Sequence, residues 1–506
     1  MVRRHGAERP EHPALLWDGG RLTYCELHDR SSRLAQALIS AGVGVGDRVA
    51  ILGLNSPQHL EIAFATAKLG AVATPVNFRL AGPEAAAIID DSQAKVLFAG
   101  ASFADLVADI APRLSRPVRV ICTDREYENW LADFPPADPG FQAQADDTVY
   151  QLYSSGTTGM PKGVEITAAG LSACISIYEN EFDLAAESVN MIAMPLFHIG
   201  GSGMAFAAHL VGATNYIVAK PGPDVLLSTL ESHRCTHTTL VPSLMQFMLD
   251  VPGVADRDFT ALKAIAYGGS PISETLLRRA VAVFGCKFLQ AYGLTECTGT
   301  VTVLRPADHD LRDVDGGRLR SAGTPLKFVD LQIVDPVTLD VCAIGEVGEI
   351  WARGPTAMKG YWRNPELTAT TIVDGWVRSG DAGYVDHDGY LYLHDRVKDM
   401  IVSGGENIYP ADIERVLASH PDVADCAVIA VPHDRWGETP KAIVVAVAGA
   451  RATDQDLIAH CRSRLAPYKC PTSVDWIDEL PRNPAGKVLK KDLRAPYWAA
   501  DSRQIG

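Results

Sequence analysis

The chain has 506 residues and carries 46 Lys and Arg side chains against 61 Asp and Glu, a formal net charge of −15. This length exceeds what one hydrophobic core usually organises, and 47% hydrophobic with 21% charged residues is typical of a folded globular protein. The acidic balance argues against nucleic acid or an anionic membrane as the main partner, because either would repel it.

The chain shows no targeting signal and no membrane-spanning stretch. Its start, Met1 to Gly6, has positive charge but no apolar run behind it, so no signal peptide is predicted. The most apolar stretch, residues 203–219, is interrupted by His209 and Asn215 and is shorter than the ~20 apolar residues of a membrane helix. The ten cysteines form no C-x-x-C pair, which fits a reducing compartment. We therefore expect a cytoplasmic protein with no integral membrane segment.

The first two thirds of the chain alternate strand-like and helix-like segments. The predicted strands are residues 48–54, 71–75, 95–98, 148–153, 164–167, 237–241 and 263–267. The predicted helices between or after them are residues 58–69, 83–91 and 273–284, and one that opens at Pro242. Proline suits a first helical position because its missing N–H has no intrahelical partner there. Such alternation predicts parallel sheets covered by helices.

The last hundred or so residues have a different pattern. Strands are predicted at 423–431, 441–447 and 473–477, and a helix at 454–465. We therefore predict an α/β protein of two domains. A large N-terminal domain of parallel or mixed sheets wrapped by helices covers residues 1–396, and a small α+β C-terminal domain covers residues 397–506.

The strongest chemical signal is the loop from Tyr153 to Gly163, YSSGTTGMPKG, between two predicted strands. Its three glycines let the backbone turn N–H groups toward an anion, and a lysine adds a cation. The hydroxyl donors are Ser154, Ser155, Thr157 and Thr158. This is not the Walker pattern, so a switch-type NTPase is not implied. A simple surface loop is the alternative, but the ordered hydroxyls before Pro161-Lys162-Gly163 favour a polyphosphate site.

With this loop the chain resembles the adenylate-forming, AMP-binding enzymes, which include acyl- and aryl-coenzyme A synthetases, firefly-type luciferases and nonribosomal adenylation domains. The resemblance covers nearly the whole chain, because six further family-like motifs follow in order. They are Met194–Gly200, Tyr267–Ile272, Gln290–Glu296, Trp376–Asp381, Asp395–Ile401 and Pro481–Lys487.

The resemblance implies a role for individual residues in these motifs. His198 would lie beside the reacting carboxylate, Lys487 would bridge that carboxylate and the α-phosphate of ATP, and Glu296 with Thr158 would hold Mg²⁺. Tyr292 would stack on the adenine, while Asp381 and Arg396 would contact the ribose. The residues implied for the nucleotide and coenzyme A sites are Ser154, Ser155, Gly156, Thr157, Thr158, Gly159, Lys162, Gly268, Gly269, Ser270, Tyr292, Gly293, Thr295, Asp381, Arg396, Lys398, Gly404, Gly405 and Trp436.

Taken one at a time, several of these residues have simpler interpretations. Lys487 could be a solvated charge in a basic tail, His198 a core histidine, and Glu296 a helix cap or ion-pair partner. Asp381 lies in a Gly-flanked turn, where Asp is common for backbone reasons. Trp436 could equally be a core or a surface tryptophan. Their place in the family-like motifs favours the functional roles.

In the family the small domain is mobile and rotates after adenylation. Lys398 matches the hinge, and rotation would replace the Lys487 face by the face that carries Gly404 and Gly405. That exchange would open a path for the pantetheine thiol, which Trp436 would line. A pivot of this kind needs an exposed residue that absorbs large backbone changes.

The resemblance therefore predicts an acyl-coenzyme A synthetase that uses ATP, Mg²⁺ and coenzyme A and acts on a small-molecule carboxylic acid as a monomer or homodimer. His198 follows Phe197 where amino-acid adenylation domains place an Asp, which disfavours an amino-acid substrate. Small residues around the expected acyl pocket favour a medium- or long-chain fatty acid or a bulky ring-containing acid. An aryl acid such as a benzoate or cinnamate is an alternative. A non-catalytic paralogue that binds ATP and an acyl ligand also stays open, and pyrophosphate release distinguishes it from the enzyme.

Overall fold

Helix ends in this protein follow local sequence signals. Thr23 and Glu26 form a capping box at the start of the helix Tyr24–Ser40, and Ser56 caps the helix Pro57–Leu69. Ser273 caps Glu274–Phe284 in the same way.

The α-helices are Val2–Glu8, Tyr24–Ser40, Pro57–Leu69, Gly82–Ser92, Ala104–Ile110, Tyr127–Ala132, Ala168–Glu181, Ile199–Val211, Pro223–Ser232, Pro242–Leu249, Glu274–Phe284, Pro365–Thr371, Pro410–Ala418, Asp454–Arg462 and Lys490–Trp498.

This computed structural model describes residues 1–154, 161–270, 272–309, 317–396, 399–403, 406–433, 436–465, 467–482 and 488–498. The chain divides into two compact units. The first unit comprises Met1–Leu331, Ala352–Ser379 and Gly389–Leu391, and the second comprises Gln332–Trp351, Gly380–Asp388 and Tyr392–Gly506. The predicted functional boundary after residue 396 stays a prediction.

The first unit contains a nine-stranded sheet. Its centre is parallel and both of its edges are antiparallel. In sheet order the strands are Thr324–Pro325, Thr302–Leu304, Lys287–Tyr292, Ala264–Gly268, His237–Leu240, Val189–Ile192, Thr214–Ile217, Pro13–Trp17 and Gly20–Thr23.

A seven-stranded sheet also belongs to the first unit. In the order given next, the first two strand pairs are antiparallel and the remaining pairs are parallel. In sheet order the strands are Gly360–Tyr361, Lys162–Thr167, Thr148–Ser154, Val72–Val76, Arg48–Leu52, Val96–Ala99 and Arg119–Cys122. The strands Arg48–Leu52 and Val72–Val76 are buried at every position, as expected for parallel strands covered by helices on both faces.

Two five-stranded sheets complete the β-structure of the described residues. In one, the order is Asp330–Val334, Gly348–Arg353, Trp376–Val385 and Ile372–Val373, with Leu391–Arg396 also paired to Trp376–Val385. The other lies in the second unit, with the order Glu406–Ile408, Ile401–Ser403, Gly437–Ala446 and Val423–His433, and with Ser473–Trp476 parallel to Gly437–Ala446.

The sequence-based α/β assignment is confirmed, and most predicted elements differ from the observed ones by one or two residues. One difference concerns the loop from Tyr153 to Gly163. The strand predicted from residue 164 begins at Lys162, because Lys162 pairs with Ser154 across the hairpin. The apolar stretch 203–219 is divided between the helix Ile199–Val211 and the strand Thr214–Ile217. In the part of the chain described here, no helix has both the length and the apolarity needed to cross a bilayer.

Candidate active site

The two ends of the Ser/Gly-rich loop are held by a β-hairpin of the seven-stranded sheet. Ser154 is the last residue of one strand and Lys162 the first of the next, and the two are paired in the antiparallel ladder. Both side chains are partly exposed. Ser155, Gly156, Thr157, Thr158 and Gly159 lie outside the described residues. The hairpin thus fixes the hydroxyl and the cation that border the predicted phosphate site.

Glu296 lies on a short 3₁₀ turn, Thr295–Cys297, and meets two hydroxyl groups from distant parts of the chain. Its Oε1 accepts a hydrogen bond of 3.0 Å from Ser154 Oγ and one of 2.9 Å from Tyr361 Oη. The backbone is also tied, since Met358 N donates to the Glu296 carbonyl over 2.9 Å. Neither hydroxyl contact uses Oε2.

Tyr361 was not found by the sequence analysis. It belongs to the two-residue strand Gly360–Tyr361, which pairs with Val164 and Glu165 at the edge of the seven-stranded sheet. Its ring centre is 5.6 Å from Lys162 Nζ, within the range of a cation–π contact. Burial and, after it, the Glu296 carboxylate raise the pKa of Tyr361, so the hydroxyl keeps its proton. In the sequence, the only sign of this residue was the pair of aromatic residues that follows Gly360. Such a pair does not by itself indicate a functional site.

Close backbone contacts require glycine at two positions of the predicted adenine side. A methyl group placed on Gly268 would lie 2.3 Å from the Ala291 carbonyl oxygen. On Gly293 it would lie 2.2 Å from the Gly299 carbonyl oxygen. Any side chain at either position would therefore push two parts of the first unit apart.

The other predicted residues of this region lie on the same two segments. Gly269 has φ +78° and follows the strand Ala264–Gly268, and Ser270 beside it is exposed. Tyr292 ends the neighbouring parallel strand Lys287–Tyr292, and only 9% of it is exposed. Thr295 is partly exposed at the start of the turn that carries Glu296. The carboxyl ends of these two parallel strands thus bring the residues of two predicted motifs together.

His198 is the N-cap residue of the helix Ile199–Val211. The His198 side chain is exposed to solvent, yet many protein atoms lie close around it. A residue that lines a cleft has both properties. Its ring centre lies 4.6 Å from that of Phe197. The surrounding protein and, after it, the Arg79 guanidinium lower the pKa of His198. The imidazole is therefore neutral near pH 7, so it acts as a hydrogen-bonding group and not as a positive charge.

The helix after His198 is built from small residues. A methyl group on Gly200 would meet no atom within 4 Å, and one on Gly203 would meet only the Ile199 side chain, at 3.6 and 3.7 Å. Gly299 packs directly on Ile199, since a methyl group on it would lie 2.9 Å from Ile199 Cγ1. Gly203 is buried, and a methyl group on it would make only ordinary van der Waals contact, with the Ile199 side chain.

The remaining predicted residues belong to the second unit. Asp381 is partly exposed within the strand Trp376–Val385, and Trp436 is 45% exposed. Arg396 is the last residue of the strand Leu391–Arg396, and its side chain lies outside the description. Lys398, Gly404, Gly405 and Lys487 also lie outside the described residues. Their predicted roles stay predictions.

The chemistry of Glu296 suits a magnesium ion bound together with phosphate. Magnesium prefers oxygen ligands and is commonly held by one or two carboxylates plus substrate phosphates, not by a full protein cage. Among the described residues there is no group of three or more His, Cys, Asp and Glu that could hold a metal. Thr158, the second predicted ligand, is outside the described residues.

The chain is similar to known proteins over nearly its whole length. The model of the AMP-binding enzyme family matches residues 2–362, and that of the AMP-binding enzyme C-terminal domain matches residues 412–487. The fatty acid–[acyl-carrier-protein] ligase ScoC of Streptomyces coeruleorubidus is 40% identical over 507 residues, covering 99% of this chain and 96% of that protein. The feruloyl-CoA synthase of an Amycolatopsis species is 41% identical over 496 residues, 98% of each chain. The crystal structure of ATP-bound MatB from Rhodopseudomonas palustris has a TM-score of 0.89 at 30% identity and covers 98% of each chain.

Proposed function

The chain belongs to the AMP-binding enzyme family, and from this premise we propose that it is an ATP-dependent acid–thiol ligase that forms an acyl-coenzyme A through an acyl-adenylate. The observation that carries the proposal is the arrangement at the loop ends. There Ser154 and Tyr361 donate hydrogen bonds to Glu296, which is far from both in sequence, and Lys162 faces the Tyr361 ring. A cation, hydroxyl donors and a carboxylate in this arrangement suit a metal-bound polyphosphate.

In the first half-reaction a carboxylate oxygen of the acid attacks the α-phosphorus of ATP. The bond from that phosphorus to the oxygen that bridges to the β-phosphate breaks, and pyrophosphate leaves. Two anions must approach each other, so positive charge is needed where charge develops in the transition state. Lys162 would supply such charge on the phosphate side, and Lys487 would supply it between the α-phosphate and the carboxylate.

Glu296 would bind Mg²⁺, with help from Thr158. The ion, when bound, neutralises phosphate charge and holds the phosphate oxygens in place. The neutral His198 would hydrogen-bond the carboxylate without pairing with its charge, which leaves that oxygen nucleophilic. Tyr292 would contact the adenine, and Asp381 with Arg396 would contact the ribose.

In the second half-reaction the thiol sulfur of coenzyme A attacks the acyl carbon. The bond from that carbon to the AMP oxygen breaks, AMP leaves and the thiol proton is lost. We propose that the domain after residue 396 turns about Lys398 between the two steps and brings Gly404, Gly405 and Trp436 to the thiol path. The 45% exposure of Trp436 supports this role, since a channel-lining side chain must be accessible.

The acid is proposed to be a medium- or long-chain fatty acid or a bulky ring-containing acid. The small residues of the helix after His198, where a methyl group on Gly203 would contact only the Ile199 side chain, support a large acyl group. An aryl acid is the second candidate, because a relative at 41% identity is named as a feruloyl-CoA synthase. A relative at 40% identity is named as a ligase that uses an acyl-carrier protein. The acyl acceptor should therefore be tested together with the acid.

The experiment is pyrophosphate release from ATP and Mg²⁺ over a panel of acids from acetate through long-chain acids to benzoates and cinnamates. Each acid is tested with coenzyme A, with an acyl-carrier protein and with neither, and thioesters are identified by mass spectrometry. We expect turnover that requires both the acid and coenzyme A. Thioester on the carrier protein alone would replace the proposed acceptor, and no pyrophosphate with any acid would instead support the non-catalytic paralogue.

We further propose a cytoplasmic location and a monomeric or homodimeric state. The ten cysteines support the location, since all of them are free thiols in the structure. Light scattering of the purified protein measures the oligomeric state, and a higher oligomer would contradict it. Fractionation of the native cells tests the location.

A further inference from the structure

Both hydroxyl groups at Glu296 bind the same carboxylate oxygen. Ser154 Oγ and Tyr361 Oη donate to Oε1 over 3.0 and 2.9 Å. A carboxylate oxygen has two lone-pair directions, so two donors satisfy Oε1. The capacity of this side chain for a cation therefore lies on Oε2, and rotation of the carboxylate would break both hydrogen bonds.

We propose that Tyr361 is a positioning residue for the metal site, whose hydroxyl fixes the Glu296 carboxylate so that Oε2 alone serves the divalent cation bound with ATP. The proposal rests on the proposed function for the role of Glu296. It adds a residue that the sequence motifs did not include and a specific atom through which that residue acts.

The position of Tyr361 is well determined by its surroundings. Its backbone N–H donates to Thr368 Oγ1 over 2.9 Å, and its strand pairs with Val164 and Glu165 beside the loop. The next residue, Trp362, donates from its backbone N–H to the Gly163 carbonyl over 2.7 Å. These contacts use the backbone, so they remain when only the hydroxyl is removed.

Tyr361 also connects the two charged groups of the cluster. Its ring faces the Lys162 ammonium at 5.6 Å, and its hydroxyl contacts the Glu296 carboxylate. A phenylalanine keeps a ring for the lysine and loses only the contact to the carboxylate.

The test compares Mn²⁺ affinity in the presence of α,β-methylene-ATP, measured from the free-ion electron paramagnetic resonance signal. Tyr361→Phe should weaken Mn²⁺ binding about 10-fold, the size expected when an outer partner of a ligand is removed. Glu296→Gln should weaken it at least as much. In the Glu296→Gln background, Tyr361→Phe should have no further effect, because its action passes through that carboxylate. Ser154→Ala, which removes the other donor, should weaken binding in the same direction.

Tyr390→Phe is the matched control, since Tyr390 Oη donates to Asp308 Oδ1 over 2.7 Å in another tyrosine–carboxylate pair of the first unit. It should leave Mn²⁺ affinity within about twofold of wild type. High Mg²⁺ should also restore the turnover of Tyr361→Phe, but not that of Glu296→Gln.

Unchanged Mn²⁺ affinity in Tyr361→Phe would overturn the proposal, and so would an equal loss on top of Glu296→Gln. So would a wild-type protein that binds no Mn²⁺ with the ATP analogue. Failure of the ligase function looks different, because metal affinity would still respond to Tyr361→Phe while no acid yields pyrophosphate. That result would support the positioning role and reject the ligase.

Discussion

The Arg48 guanidinium lies on the face of the Trp362 indole, with its central carbon 3.3 Å from the ring centre. The same guanidinium donates to Gln151 Oε1 over 3.0 Å and to Glu165 Oε1 over 2.7 Å. On the other side of the contact, Trp362 Nε1 donates to the Asp91 carbonyl over 3.0 Å. These contacts anchor the residue that follows Tyr361 to the strands that carry the loop.

Replacing the anchor should therefore affect both stability and the site. Trp362→Leu should cost about 2 kcal/mol of unfolding free energy through lost packing and cation–π contact. It should also raise the KM for ATP, because the strand Gly360–Tyr361 is loosened. Denaturant melts and ATP titrations of pyrophosphate release measure the two effects.

The control for this variant is Trp130→Leu. Arg119 lies on the last strand of the same sheet, and its guanidinium carbon is 5.0 Å from the centre of the Trp130 ring. This variant should lose stability and keep its KM for ATP. A KM shift of equal size in both variants would contradict a specific link between Trp362 and the site.

The chain-length preference should depend on Gly203. Gly203→Leu adds bulk at a buried position beside Ile199 and should lower kcat/KM for long acids about 10-fold or more relative to short ones. Leucine gains about 1 kcal/mol over glycine in helix propensity, but extra bulk in a packed interior costs about 1–3 kcal/mol, so we expect a small loss of stability. A panel of acid lengths and a thermal melt give both results.

Gly44→Leu serves as the control, because Gly44 is exposed and has only Asp47 nearby. It should leave the length profile unchanged. If Gly203→Leu also left the profile unchanged, the acyl group would lie elsewhere.

Lys487→Ala should separate the two half-reactions. Acyl-adenylate formation should fall by about 100-fold or more, as for the loss of one preorganised charge at a transition state. Thioester formation from pre-formed acyl-adenylate should be nearly unchanged, because the proposed turn about Lys398 takes the Lys487 face away before that step. Lys491→Ala changes an exposed lysine nearby and should affect neither step. Equal losses in both half-reactions would argue against the role of Lys487.

Acid should destabilise the first unit through buried histidines. His209 is fully buried and its Nε2 has no hydrogen-bond partner among the described residues. Burial, with a smaller effect of nearby positive charge, lowers the pKa of His209 to about 3 from an ordinary 6.5. The unfolded chain therefore binds more protons below pH 6.5, and stability falls as pH drops from there toward 3.

His209→Phe removes this titration and keeps an aromatic ring against Phe64, which lies 5.2 Å from the imidazole. Thermal melts between pH 7 and 4 should show a smaller loss of Tm in the variant than in wild type. His387→Phe changes an exposed histidine and should follow the wild-type curve. Parallel curves for His209→Phe and wild type would assign the acid sensitivity to other groups.

Local patterns were sufficient for the fold class and for the family of the chain. Pro242 and Ser273 marked helix starts that the structure confirms, because capping depends on neighbouring residues only. The residues of Tyr153–Gly163 and Gln290–Glu296 carried the resemblance to the family, since each motif is a short run of neighbouring residues that can be recognised in the sequence. The family models later matched both parts of the chain.

Other features depend on contacts between segments far apart in the chain. Tyr361 reaches Glu296 only because the strand Gly360–Tyr361 pairs with residues 164 and 165. Lys162 was predicted as a mobile cation, yet it is the first residue of a strand and faces an aromatic ring. Thus the sequence by itself determined which residue types carry the chemistry, through caps, spacing and loop composition. Only the tertiary structure decided which distant hydroxyl groups contact Glu296, because the pairing of strands far apart in sequence leaves no local pattern.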